Sequence, residues 1–466
     1  MAASVPPSAS RWFDFSRLRG LEERLHEPER IRRVRAAARE AFEALPLEPN
    51  PLYRGYSNFA GADLREIDFG AEGPAVPLPA RAAATLRIVH DAVGTRTEVP
   101  AELSAAGVTV RTLPELWNDG GGAAEELLAP ILAEDKLTAL ARATVNRAVE
   151  VVVPDRCPLP VRVEDLTVLS SPHQGLSVRR EIRAGVGSRL LYAEELYATR
   201  ESEADGPRLY GSTVRISVAE EAQVHYLSVH APDPRAVSLY QRRGSVGRSA
   251  RLAWMWAGFG GFRTRLRNLS ELVGTGSALE DLQAFYGRGE QAYDSSVQIS
   301  HIGTDTHGQS VTRGVFKDTS QGVSRGLVRI EKEARKTVSF LSEHAMLLSR
   351  GARSDTIPVL EILCRDVKAT HSSSVAPVDP EKVFYLASRG FREGDAVRMI
   401  GEGFLAHVLE RAPIVGLRDH LYPILAARWD GHPVVWTGDA SGPSLPPLEV
   451  RAADAAEDWR FDSKLR

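Results

Sequence analysis

The spacing of hydrophobic positions changes character several times along the chain. Over the first part, Leu18, Leu21 and Leu25, then Ile31, Val34 and Ala38, recur at helical intervals with Pro28 between the two sets. A 3.6-residue period predicts helix, and a proline inside it predicts two helices instead of one. Arginine and glutamate are mixed along this stretch, so it reads as a solvated helix face and not as a nucleic-acid arm. A Pro/Ser-rich tail precedes it. Between 48 and 147 the pattern is mixed. IDFG, TLRIVHDAV and VTVRTL are strand-like, and 124–149 is helix-like. Asp119-Gly120-Gly121-Gly122 between them reads as a loop, because glycines without a following Gly-Lys-Ser/Thr make no phosphate cradle.

From 148 to 377 a two-residue alternation takes over. VEVVVP, VRVEDLTVL, STVRISV, AQVHYLSVH, RLAWMWAG, GLVRIEKE and TVSFL are apolar–polar runs separated by Gly, Asn, Asp and Ser, with no helical pattern between them. Some 230 residues of such runs are too many for a simple sandwich. A barrel, a propeller or a solenoid would hold them, and the lack of a fixed-period motif disfavours the propeller. The best fit is a mainly β protein built on a right-handed parallel β-helix. Helical spacing returns over 378–429, where Asp379 and Pro380 suit the N-cap and first position of a helix and Gly390 its end. Residues 430–466 read as an irregular Pro/Gly/Asp-rich tail. The predicted organisation is therefore 1–147 helical and α/β, 148–377 β-helix, 378–429 helical, 430–466 tail.

Composition narrows the function. The 466 residues carry 58 basic and 61 acidic side chains, a net charge of −3, which gives no drive toward nucleic acid or acidic lipid. No run of 18 apolar residues predicts a membrane span, and the N-terminus does not read as a secretory signal, so a cytoplasmic protein is expected. Two cysteines, Cys157 and Cys364, cannot supply a disulfide framework or a four-thiolate metal site. There is no Gly-Lys dipeptide, so ATP hydrolysis by a P-loop is not expected, and no HExxH, CxxC or GxSxG occurs. GFGG at 258–261 reads as a tight corner between strands. Histidines are the notable polar residues: His301 and His307 in HIGTDTHG, His344 in SEHAMLL and His371 in KATHSSS. Imidazole ligates iron and moves protons near neutral pH, although a lone histidine is more often a hydrogen-bonded structural residue. His344 and His371 are 27 positions apart, near one β-helix turn, which would place them on adjacent rungs.

HIGTDTHGQSVTRGVFKD, SRGLVRIEKEARKT, LEI followed by CRDVKATHSSSV, VFYLASRGF and the helix ending in GEGF together resemble the SufB/SufD family of iron–sulfur cluster assembly proteins. AVEVVVPDRCPLPVRVEDL resembles the family's entry into its β-region, and the resemblance spans roughly 140–410. It implies a β-helix between helical ends. It also implies a non-ATPase scaffold subunit that joins a SufC-type ABC ATPase and a SufB/SufD-type paralogue, or a second copy of itself, to build Fe–S clusters held transiently and shared with the partner. ATP hydrolysis would occur in the partner. By the same resemblance His371 matches the histidine of both the SufD-type CSHGA-like and the SufB-type EHEAT-like motifs. His344, counted back from Leu347-Leu348, falls where SufB-type members carry their proposed essential cysteine and SufD-type members tend to have asparagine. His371 and His344 are thus the expected metal contacts, with Glu343 either a carboxylate ligand or solvated, and Cys364 either a ligand or, as alternation suggests, a structural thiol. Departures are Ala369 for the SufD-type cysteine, Ser372 for its glycine, and Thr370 and Ser372 for the SufB-type glutamates. ATPase docking is expected at Phe384, Tyr385, Arg389, Gly390 and Phe404. Few thiols favour a SufD-like role. A SufB-like subunit, a structural β-helix without cluster chemistry and a polysaccharide-lyase-like enzyme are the alternatives, the last lacking a visible acid–base cluster.

Overall fold

In the computed structural model, helices form at both ends of the chain and strands between them. The structure describes residues 12–438, apart from 51–52, 55, 57–58, 60, 72, 79–84, 119–125, 200–205 and 413, together with 449–450. The Pro/Ser-rich tail, the glycine run at 119–122 and most of the C-terminal tail lie outside the described residues.

The helices are α1 (Arg19–Arg24), α2 (Glu29–Ala44), α3 (Ala101–Ala105), α4 (Leu113–Asn118), α5 (Lys136–Ala143), α6 (Pro380–Ser388), α7 (Glu393–Leu409) and α8 (Leu417–Asp430). Pro28 does separate the first two, sitting at the N-cap of α2. The helix expected over 124–149 is shorter. Asp135 starts α5 with a capping box, accepting from Thr138 N while Thr138 accepts from the Asp135 amide, and a strand has begun by Arg147. IDFG forms only a single bridge, Asp68 with Gln174.

The strands are β1 (Leu86–His90), β2 (Thr95–Glu98), β3 (Thr109–Thr112), β4 (Arg147–Val153), β5 (Val161–Leu169), β6 (Gly175–Ala184), β7 (Arg189–Ala198), β8 (Arg208–Val218), β9 (Gln223–His230), β10 (Ala236–Val246), β11 (Arg251–Gly258), β12 (Arg263–Leu272), β13 (Ala278–Gly287), β14 (Ala292–His301), β15 (His307–Phe316), β16 (Gln321–Ile330), β17 (Thr337–Leu347), β18 (Arg353–Ile362), β19 (Val367–Pro377), β20 (Ile414–Val415) and β21 (Glu449–Val450). From β4 to β19 they alternate between two parallel sheets, odd strands in one and even strands in the other, giving a β-solenoid of about eight turns. Arg263 pairs with Ala292 and Ala292 with Gln321, a repeat of about 30 residues. The GFGG corner lies between β11 and β12, with Gly261 at φ +84° and a Cβ on Gly260 only 2.5 Å from the Pro232 carbonyl oxygen.

The even/odd parity of each strand separates lumen from outside. In β5, Val161 and Val163 pack in the lumen, while Leu166 and Val168 join the outer cluster. That outer cluster is covered by Leu405, Val408 and Leu409 of α7 and Leu421, Ile424 and Leu425 of α8. The outer face of the even sheet is covered instead by α2 and α5, with Phe42, Leu137 and Leu140 against Leu209, Val237 and Leu239. The two ends of the solenoid differ. At the start, β2 and β3 add antiparallel strands to the sheets, whereas the other end stops at β18 and β19.

Candidate functional site

β18 and β19 are the last strands of their sheets, and each has a neighbour on one side only. Thr370, His371 and the run from Ser373 to Pro377 are exposed, as are Ile362 and Leu363 at the corner between the strands. Such edges carry a row of backbone donors and acceptors open to another strand. They are the natural place for a second chain to extend both sheets.

Parity then divides the residues expected at the site. In β17, Leu341 and Ala345 pack in the lumen, while Met346 packs outside against the clusters of α7 and α8. Glu343 therefore faces inward and His344 outward. On the next rung His371 pairs with Leu341 and Ser373 with Glu343, so His371 also belongs to the inward set. His344 pairs instead with Arg313 on one side and Ser374 on the other. The two histidines are on adjacent rungs, as their spacing suggested, but on opposite faces of the sheet. His371 and Glu343 share the lumen side, on successive rungs and two positions apart along the strand.

Glu343 is not solvated: it is 1% exposed. One carboxylate oxygen accepts from Ser324 Oγ at 2.6 Å, and the other has no hydrogen-bond partner. Burial pushes its pKa up to about 7, with the Ser324 hydrogen bond opposing. Ser324 and Thr312, the Glu343 neighbour in β15, both line a cavity of about 20 Å³ in the lumen, room for a single water. A carboxylate so placed releases its proton when a cation or a donor arrives at its free oxygen.

His344 is held on the outer face by two serines, with Nδ1 2.6 Å from Ser374 Oγ and Nε2 3.3 Å from Ser372 Oγ. Burial, then the positive charge of Arg313, lowers its pKa. A serine beside an imidazole suggests a nucleophile, but the second ring nitrogen here meets another hydroxyl and no carboxylate.

Cys364 lies beyond the end of β18, half-buried against Val328, Ile330 and Leu341. Cys157 packs at the edge of the cluster that includes Val161 and Val163. His301 is a buried structural residue bonded to Thr306 Oγ1 and Ser339 Oγ, and burial brings its pKa down to about 3. Among the described residues no three His, Cys, Asp or Glu side chains converge as a metal-ligand group.

The expected docking residues divide in a similar way. No residue of α6 is buried, and Phe384 and Tyr385 are 75% and 56% exposed. The Arg389 guanidinium lies 5.2 Å above the Tyr385 ring, and Gly390 takes φ +95° as the helix ends. Asp379 caps α6 by accepting from Glu381 N at 2.9 Å. Phe404 is turned the other way, half-buried against the solenoid with the Arg313 guanidinium 4.6 Å above its ring.

Sequence reading missed a charged network inside the solenoid. Arg180 donates to both oxygens of Asp165 at 2.6 and 2.8 Å. Glu194 accepts from Tyr210 OH at 2.8 Å, Ser212 Oγ at 2.6 Å and Tyr226 OH at 2.9 Å, and faces Arg180 and Arg242. The signal was in the parity. Asp165 falls between Val163 and Thr167, and Glu194 between Tyr192 and Leu196, on the lumen side of their strands.

A family profile described as "SUF system FeS cluster assembly, SufBD core domain" matches residues 167–404. The iron–sulfur cluster assembly protein SufD of Bacillus subtilis is 30% identical over 293 residues, which is 63% of this chain and 66% of that protein. A SufBD family protein of Staphylococcus saprophyticus is 27% identical over 283 residues, 60% of each chain. One of Staphylococcus epidermidis is 25% identical over 316 residues, 67% of each. The alignments therefore span about two thirds or less of the curated relatives.

Proposed function

Because the chain belongs to the SufB/SufD family of the SUF iron–sulfur cluster assembly system, we propose that it is a SufD-like, non-ATPase scaffold subunit that completes a cluster site at its interface with a paralogue. The observation that carries this reading is the last turn of the solenoid, whose edge pairs with no further strand among the described residues. β18 and β19 are free to receive the strands of a SufB/SufD-type partner or a second copy, and His371 lies on that edge, with Glu343 on the rung beneath and two positions along, under Ser373. Iron and sulfide are cargo in this reading. His371 and Glu343 offer nitrogen and oxygen contacts, and the partner brings the thiolates that such clusters normally require. The exposed α6 with Phe384 and Tyr385 is the docking surface for a SufC-type ATPase, which hydrolyses the ATP. The SufD-like assignment rests on the Bacillus relative and on the scarcity of cysteine.

No helix of the described residues is long and apolar enough to cross a membrane. The test is substitution in the assembled complex. His371→Ala should leave the complex intact and lower cluster yield about tenfold or more, since even residues that only support a metal ligand cost that much when lost. Unchanged yield would remove His371 from the site and leave the chain a structural partner.

A further inference from the structure

We propose that the outer face of β15, β17 and β19, where it meets α7, is a binding site for a phosphate-type oxyanion, with Arg313 as its principal charge. Arg313 is half-buried, yet among the described residues its guanidinium has no hydrogen bond or ion pair. It has only the Phe404 ring, 4.6 Å away, which covers one face of the plane and leaves the N–H edge open. A cation withdrawn from water without an acceptor is costly, and the fork of a guanidinium fits a tetrahedral oxyanion.

The surroundings complete the site. Arg313, His344 and Ser374 pair in line across three adjacent strands, about 10 Å at the usual strand spacing. Ser372 Oγ stands on the far side of the His344 ring, and His407 of α7 is close enough to act electrostatically on His344. Arg313 and the His344 ring with its two serines therefore share one strip of this face, with His407 close by. The acidic groups along this part of α7 are engaged elsewhere: Glu402 by Arg398 at 2.7 Å, and Glu410 by Arg418 at 3.3 Å. Arg411 is taken by Glu280 at 2.6 Å. A phosphate-type oxyanion has more acceptor oxygens than a lone carboxylate and can engage the guanidinium edge and a serine hydroxyl at once. Ser374 and His407 are exposed, so the site is open to solvent.

The source of the phosphate is either the free ion or a nucleotide. The experiment titrates inorganic phosphate, and separately AMP, into the full chain at low ionic strength by calorimetry. The expected result is saturable binding at one site per chain, weakened about tenfold in Arg313→Gln and about threefold in Ser374→Ala. The charge-retaining Arg313→Lys should fall between, and Arg329→Gln on the other sheet should bind as the parent does. Tighter AMP would assign the site to a nucleotide phosphate and equal affinity to the free ion. Absence of saturation, or equal binding by Arg313→Gln, overturns the proposal. Thermal melts of each variant separate lost binding from lost folding. The proposal does not depend on the paralogue or the ATPase, so it stands or falls apart from the assembly reading.

Discussion

Two glutamates occupy the same line of register along the odd sheet, one in the closed middle of the solenoid and one near its open end. Glu194 pairs with Ser228, and the line continues through Trp256, Gln283 and Thr312 to Glu343. Both are buried, but their partners differ. Burial opposes ionisation of Glu194, and Arg180 and Arg242 outweigh it, so its carboxyl stays below the usual range. Glu343 has burial without a cation and moves to about 7. A buried charge that is fully partnered belongs to the architecture. One left with a free oxygen beneath an uncovered edge is available for something that arrives later. Position in the fold sets the ionisation, because the residue type and the strand geometry are the same.

The comparison breaks most severely at its middle. Glu194→Gln takes the paired carboxylate from Arg242, leaves Arg180 with Asp165 alone, and should cost about 3–5 kcal/mol in denaturant unfolding, the usual penalty for halving a buried ion pair. A loss below about 1 kcal/mol would mean that the network is not structural. At the open end the sign reverses. The Glu343 pKa rises from 4.5 to about 7 on folding, so between those values the folded chain holds the extra proton. Stability of the isolated chain should fall as pH rises through that window, by about 3 kcal/mol in all. Glu343→Gln should remove the slope and stabilise the chain at pH 8, and a pH profile identical to the parent's would contradict the assignment.

Smaller effects sharpen the contrast at the surface. Phe384→Ala should weaken binding of a SufC-type ATPase by about 2 kcal/mol while leaving the melting temperature unchanged, since the ring is largely exposed. Equal affinity by calorimetry would place docking elsewhere. His371→Ala should change the stability of the isolated chain by less than about 0.5 kcal/mol, because the side chain is exposed on an edge strand. A large loss there would make His371 a structural residue.

Much of the fold was legible because alternation over 148–377 is a direct imprint of parallel strands with one face in the lumen. Capping signals at Pro28, Asp379 and Gly390 were equally local. The helix expected over 124–149 was overestimated because the buried run Val145–Val149 satisfies either period. The site was legible only in part. His344 and His371 were placed on adjacent rungs by counting, but the face each takes depends on register, and one residue reverses it. The inward direction of Glu343 could have been read from its parity with Leu341 and Ala345. The absence of an acceptor at Arg313 could not, since it depends on how α7 crosses the sheet.

Completion of the bare end of this solenoid by another subunit is open to a direct measurement. The direct measurement is co-expression with a SufC-type ATPase and a SufB-type paralogue, followed by size-exclusion chromatography with light scattering. A stable complex whose mass includes all three chains is expected, with the paralogue lost when the β18–β19 turn is deleted. A chain that elutes alone, or binds neither protein at micromolar concentration, would contradict it.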